Sequence, residues 1–173
     1  MTDEDRSVLD DEMWAAIRDV VGRAKKSTMH CAIASIAPDG GPHITPVGTI
    51  FLREDHTGFY FDEYTSALAR NVDHDPRVCV MAVDSGRLFW LRSLLTGRFI
   101  APPAVRLYGT VGALRPATSP ELDQVRQSVR ATQRLKGGKM LWSGFSQVRD
   151  ITFTGFRPVR YPVMMGHLWQ GVS

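Results

Sequence analysis

The sequence predicts an α+β fold built on a small β-barrel, and three observations carry that expectation. An alternating strand, the turn Pro38-Asp39-Gly40-Gly41 and a second apolar strand read as a hairpin. A third, aromatic strand and a short helix closed by Asp75-Pro76 follow, placing a ligand groove between strand ends and a helix start. Further strands separated by turns, with two or three helices inserted, complete the pattern of a small barrel with flanking helices.

Residues 1 to 7 are polar and read as loose. Leu9, Met13, Trp14, Ile17, Val20 and Val21 then recur at helical spacing, with acidic residues early and Arg23, Lys25 and Lys26 late, the order that a helix dipole favours. An N-terminal amphipathic helix is expected there, within residues 1–27. From Met29 to Ala37 the residues turn small and β-branched, which suits a strand, and glycine in the turn tolerates positive φ. The second strand is expected from about His43 to Arg53, and the turn region 54–58 leads into Phe59-Tyr60-Phe61, whose aromatic density favours strand. Thr65 or Ser66 can cap a helix running through Ala67 to Asn71, and Asp75-Pro76 stops it. Val78 to Val83 is almost wholly apolar, so burial on both faces is expected.

Leu88 to Pro103 fits three forms: a helix, a strand pair or an apolar flap ended by Pro102-Pro103. Its excess of large apolar residues points to a partner surface. Val105 to Leu114 reads as strand. Ser119-Pro120-Glu121 then starts a helix over Leu122 to Leu135, closed by Lys136 and Gly137-Gly138. Ile151 to Phe156 and Val159 to Val163 read as a last strand interrupted near Arg157-Pro158, and residues 164–173 as a tail. With no internal repeat, low-complexity tract or linker, residues 1–173 are expected to form a single domain whose barrel spans 28–163.

Composition narrows the function classes. A chain of 173 residues that is 43% hydrophobic can bury one core. The formal charge of +3 is not gathered into a basic run or helix, which argues against nucleic acid as partner. Cys31 and Cys79 lie in apolar runs with no second Cys or His at metal spacing, as buried free thiols of a reducing compartment would. The acidic start lacks a signal-peptide core, and no run approaches the roughly 20 apolar residues of a membrane span, so a cytoplasmic location without membrane contact is expected. His30, His56 and His74 lack paired carboxylates at metal spacing, and His43 reads as a surface hairpin residue, so neither a metal site nor Ser-His-Asp chemistry is expected. His167, beside Met164, Met165 and Trp169, either flanks a cofactor or belongs to a tail docked in a hydrophobic groove. Trp90, Trp142 and Phe145 either fill a core or dimer interface or stack on a planar ring.

The ordered set Ala34-Ser35-Ile36-Ala37-Pro38-Asp39-Gly40-Gly41-Pro42-His43-Ile44-Thr45-Pro46-Val47, then Gly58-Phe59-Tyr60-Phe61, then Ser66 to Asn71, then Asp75-Pro76-Arg77-Val78 resembles the pyridoxamine 5'-phosphate oxidase-like family of flavin-binding split barrels. The resemblance covers residues 28–84 well and 104–163 more loosely. It implies a six-stranded antiparallel split β-barrel with flanking helices, forming a homodimer with two FMN sites at its interface. It also implies that Thr45, Pro46, Val47, Gly48 and Thr49 lie against the flavin ring. Phe61, Asp62, Thr65, Ser66 and Arg70 would surround the ribityl phosphate, where a helix start offers free N–H groups to an anion. A deazaflavin is the alternative cofactor, and haem, which some relatives of this fold hold, a third.

The chain departs from the family's run at Ala67 and Leu68, where two basic residues ordinarily follow the serine, and Asp62 and Glu63 add negative charge just upstream. A phosphate would then rely on Thr65 and Ser66 hydroxyls, backbone amides and an arginine such as Arg70, Arg53 or Arg106. The resemblance implies a flavin- or deazaflavin-dependent oxidoreductase acting on a small planar substrate, consistent with the lack of an acid–base pair, since a flavin carries the hydride itself. The alternative is a non-catalytic binder of flavin, haem or another small molecule with a decayed phosphate clamp. Oxidation of pyridoxamine phosphate itself would need a second basic cluster near the C-terminus, for which Arg157 and Arg160 are available.

Overall fold

A computed structural model describes residues 9–130, 144–161 and 163–168. Helix α1 (Asp11–Thr28) begins at Asp10, whose carboxylate accepts from the Met13 N–H at 2.7 Å, and closes at Met29 in the left-handed region. Its spacing buries Trp14, Ile17, Val20, Val21 and Ala24 against the inner face of the sheet, on β1, β5 and β6. The strands are β1 (Cys31–Ile36), β2 (Pro42–Val47), β3 (Ile50–Leu52), β4 (Thr57–Phe61), β5 (Arg77–Val83), β6 (Ala104–Pro116) and β7 (Gln147–Pro158). Helices α2 (Ser66–His74), α3 (Arg87–Thr96) and α4 (Ser119–Val129) are inserted between them.

All pairings are antiparallel, in the order β2-β1-β5-β6-β7-β4-β3. The two outermost strands, β2 and β3, are joined in sequence by Gly48 and Thr49 alone, so the sheet must curl until its ends meet. That seam is where the expected single strand over 43–53 divides, making seven strands among the described residues rather than six. Glycine suits position 48 because a Cβ there would stand 3.0 Å from the Met29 carbonyl oxygen, a tight contact. The seam therefore presses against the end of α1.

Two further expectations change, and one left open is decided. β5 alternates instead of being buried on both faces: Val78, Val80 and Ala82 enter the core, while Cys79 and Met81 are half-buried on the other face. The open segment 88–103 contains α3, capped by Gly97 at φ 66°, with Phe89, Trp90 and Ser93 turned inward. The last strand runs unbroken through Arg157 to Pro158, held by β6, and Val159, Arg160, Tyr161 and Val163 carry no strand. The end expected for the helix at 122–135 lies outside the described residues. A second small core of Phe51, Phe59, Phe61, Val125 and Val148 sits under α4, separate from the main one around α1.

Candidate functional site

Around the seam, β2, β3, the end of β4 and the start of α2 converge. Thr49 is buried, with its hydroxyl 3.5 Å from the Phe61 carbonyl oxygen. Val47 is in the core, Pro46 is exposed, and Thr45 is half-buried with its Oγ1 3.4 Å from the His43 ring. The Phe61 side chain faces the second core, its ring 4.9 Å from that of Phe145, so its backbone rather than its ring borders the seam. Ser66 and Arg70 are exposed along α2. Leu68 is wholly buried in the main core, which explains a leucine at this position. Trp142 and Trp169 lie outside the described residues.

Asp62 and Thr65 meet, but in a network of their own. The Thr65 hydroxyl donates to Asp62 Oδ1 instead of capping α2. Asp62 Oδ2 accepts from Arg149 Nε at 2.6 Å, and Arg149 Nη1 donates to Asp73 Oδ1 at 2.7 Å. The Arg149 and Asp62 side chains are 5% and 3% exposed, whereas that of Asp73 is 63% exposed. Burial alone would pull the Arg149 pKa down, but the hydrogen bonds it donates to Asp73 and Asp62 outweigh that and raise it. Tyr60 is the direct cross-strand neighbour of Arg149, and its buried hydroxyl has no protein partner. Burial, reinforced by the Asp62 charge, pushes that phenol above its ordinary range. One guanidinium thus stands between two carboxylates, beside a neutral orphaned phenol. Arg149, Asp73 and Tyr60 were not among the residues singled out by sequence; an arginine between apolar strand residues, Val148 and Ile151, is the signal that could have found them.

Arg53, another candidate for a phosphate, is engaged elsewhere. It donates to Glu121 at 2.7 Å and Asp150 at 2.8 Å, and Arg115 reaches the same two carboxylates at 2.7 and 2.6 Å. Glu121 also accepts from the Thr118 N–H in a capping box, so this cluster fastens α4 to the sheet. Arg106 lies on the outer face, in register with Met81 on one side and Arg157 on the other.

Away from these arginines that outer face is largely apolar. Ile44, Ala34, Cys79 and Tyr108 form a row across β2, β1, β5 and β6, and Ile44 is 67% exposed. A shallow groove bounded by Ile36, Pro42 and Arg77 follows the row. Outward residues of α3, Leu88, Leu91, Leu94 and Leu95, add a second exposed apolar surface. On the inner side of α3, Trp90, Phe99 and Tyr161 pack edge to ring, Met165 is buried, and a His167 ring nitrogen is 2.8 Å from the Phe99 carbonyl oxygen. No group of metal-ligating side chains occurs among the described residues, and none of their helices is long and apolar enough to cross a membrane.

The model of the family described as pyridoxamine 5'-phosphate oxidase matches residues 15–149. No curated protein matches the chain. Among solved structures, HupZ from Group A Streptococcus aligns at 16% identity and a TM-score of 0.54, covering 88% of this chain and 98% of that one. An FMN-binding protein from Syntrophomonas wolfei aligns at 10% identity and a TM-score of 0.56, covering 87% and 93%. HutZ, the heme storage protein from Vibrio cholerae, aligns at 11% identity and a TM-score of 0.52, covering 82% and 94%. At these identities the likenesses show a shared fold.

Proposed function

This chain belongs to the pyridoxamine 5'-phosphate oxidase family, and from that premise we propose that it holds a flavin- or deazaflavin-type ring at the seam of its sheet and acts as an oxidoreductase on a small planar substrate. The observation that carries this reading is the convergence at the seam of Thr45 to Thr49, the Phe61 backbone and the start of α2, two sheet ends brought together by two residues. A likeness in fold to an FMN-binding protein supports it. When bound, such a ring supplies hydride transfer. The chain's part is to orient it with the backbone of 45–49, to shield one side with the wall of β1 and β2, and to leave the other side open for substrate. A second copy laid on the apolar row of Ile44, Ala34, Cys79 and Tyr108 would enclose that open side, which supports a homodimer with the site between protomers.

The residues at the start of α2 do not fit the phosphate of FMN. The buried arginine there already answers two carboxylates, and the hydroxyl of Thr65 is spent on Asp62. A non-catalytic holder of haem is the second reading, favoured by the likeness to HutZ.

Titration of the colourless protein with riboflavin, FMN, a deazaflavin and hemin separates these readings. Saturable quenching of flavin or deazaflavin fluorescence, abolished by Ser66→Trp at the exposed start of α2, is the expected result. Failure of every flavin and deazaflavin to bind overturns the first reading, and a hemin-induced Soret shift in the same protein establishes the second.

A further inference from the structure

We propose that the site selects against a phosphorylated tail and takes a ring whose tail ends in neutral hydroxyl groups, with Asp62 and Asp73 as the specificity-determining residues. The inference rests on the reading of the seam as a flavin-type site and adds what the other end of the ligand must be.

Electrostatics come first. Asp62 and Asp73 flank Arg149, so the cluster carries one positive and two negative charges, and Glu63 lies one residue further along, accepting from the Ser146 N–H at 3.2 Å. A phosphate brought to the start of α2 would face these carboxylates, and it could claim Arg149 only by displacing the Asp62 carboxylate from a position 3% exposed. That would leave a buried anion unpaired, a costly state. The free N–H groups at the start of α2 do not offset this, because Ala67 and Leu68 supply no cation and Arg70 sits exposed a turn along the helix.

Hydrogen-bonding chemistry then says what fits. Carboxylates accept from hydroxyl groups, and Asp73, 63% exposed, is open to such a donor. The Tyr60 hydroxyl, wholly buried in register with Arg149, is a neutral group and offers an anion no charge. Two carboxylates, a neutral phenol and an arginine already committed to both carboxylates oppose an anionic tail, and exposed Asp73 complements the hydroxyls of a polyol. Asp62 and Asp73 act as positioning and selecting groups and are not catalytic residues.

The test compares riboflavin with FMN, which share one ring and differ by the phosphate, using fluorescence quenching on the intact protein. Wild-type protein is expected to bind riboflavin about tenfold or more tightly than FMN, the scale of a like-charge penalty. Asp73→Asn, at an exposed position that spares the fold, is expected to shift the ratio toward FMN by at least several-fold, more at low salt than at high. Asp62→Asn, which keeps the shape of the buried residue, should shift it further, with near-native far-UV circular dichroism as the check on folding. FMN binding as tight as riboflavin in the wild type, or an Asp73→Asn variant that weakens both ligands equally, overturns the selection while leaving the seam as the ring site. Binding of neither flavin overturns the selection, and failure of the deazaflavin as well overturns the ring site with it.

Discussion

A guanidinium that is 5% exposed keeps its charge only where neighbouring anions make up for lost water, and Arg149 meets that demand through Asp62 and Asp73. Arg149→Leu strands the Asp62 carboxylate and should cost about 3–5 kcal/mol in urea unfolding, whereas Asp73→Asn, at an exposed partner, should cost under about 1 kcal/mol. Lys25 is a different case. Its ammonium lies 3.8 Å over the Phe51 ring and donates to the Ile50 carbonyl, and burial lowers its pKa from 10.5 to about 8. Between those values the unfolded chain holds the proton more firmly than the folded one, so the stability this group contributes rises with pH from about 8 to 10.5. Relative to Lys25→Met, the wild-type Tm should climb across that window and run parallel to the variant below it. The family resemblance pointed to Asp62, Thr65, Ser66 and Arg70, but the sequence could not reveal that Asp62 and Thr65 bind each other. Their partner Arg149 is 87 residues from Asp62, beyond any local pattern.

Strands, more than helices, are where local pattern and structure part company. Alternation and turn chemistry locate the β1–β2 hairpin, and its turn closes as expected, with Gly40 at φ 83° and the Ala37 N–H donating to the Gly41 carbonyl at 2.9 Å. The break between β2 and β3 has no local cause strong enough to read, since it arises from the need to pass from one end of the sheet to the other. Segment 88–103 was ambiguous because α3 buries only its Phe89, Trp90 and Ser93 face and exposes leucines, the reverse of the usual helical stripe. Gly109 sits at a bulge where a Cβ would stand 2.3 Å from the Thr152 carbonyl oxygen. Gly109→Ala should therefore lower the stability of the β6–β7 pair by about 1–3 kcal/mol in urea unfolding. At α4, the Arg115 hydrogen bond leads the causes that hold Glu121 near a pKa of about 2, against 4.5 ordinarily. Its contribution is complete above 4.5 and lost as pH falls toward 2, so the urea midpoint of the wild type should drop more steeply over that range than that of Glu121→Gln.

For the whole molecule, the seven curled strands of the described residues, with α1 packed against the inner face, leave Ile44 exposed on the outer face of β2 in the apolar row of that face. A homodimer follows from that surface under the proposed function. Ile44→Asp, on the row beside the seam, should convert the dimer to a monomer in light-scattering chromatography and weaken ring binding with it. Leu91→Asp on α3 should leave the dimer intact; loss of the dimer in this variant instead would move the interface to α3. The barrel class was legible because the turns, the aromatic strand and the helix stop at Asp75-Pro76 are local signals. The groups proposed to select a ligand were less so, because Asp62, Asp73 and Arg149 come together only in the folded chain. The most direct measurement is the absorption spectrum of protein purified from a host that makes flavins and deazaflavins, followed by chromatography of the released ligand. A flavin-type spectrum with a ligand lacking a terminal phosphate is the predicted result. A colourless protein that takes up no flavin or deazaflavin on addition, or one showing only a Soret band, would contradict the account.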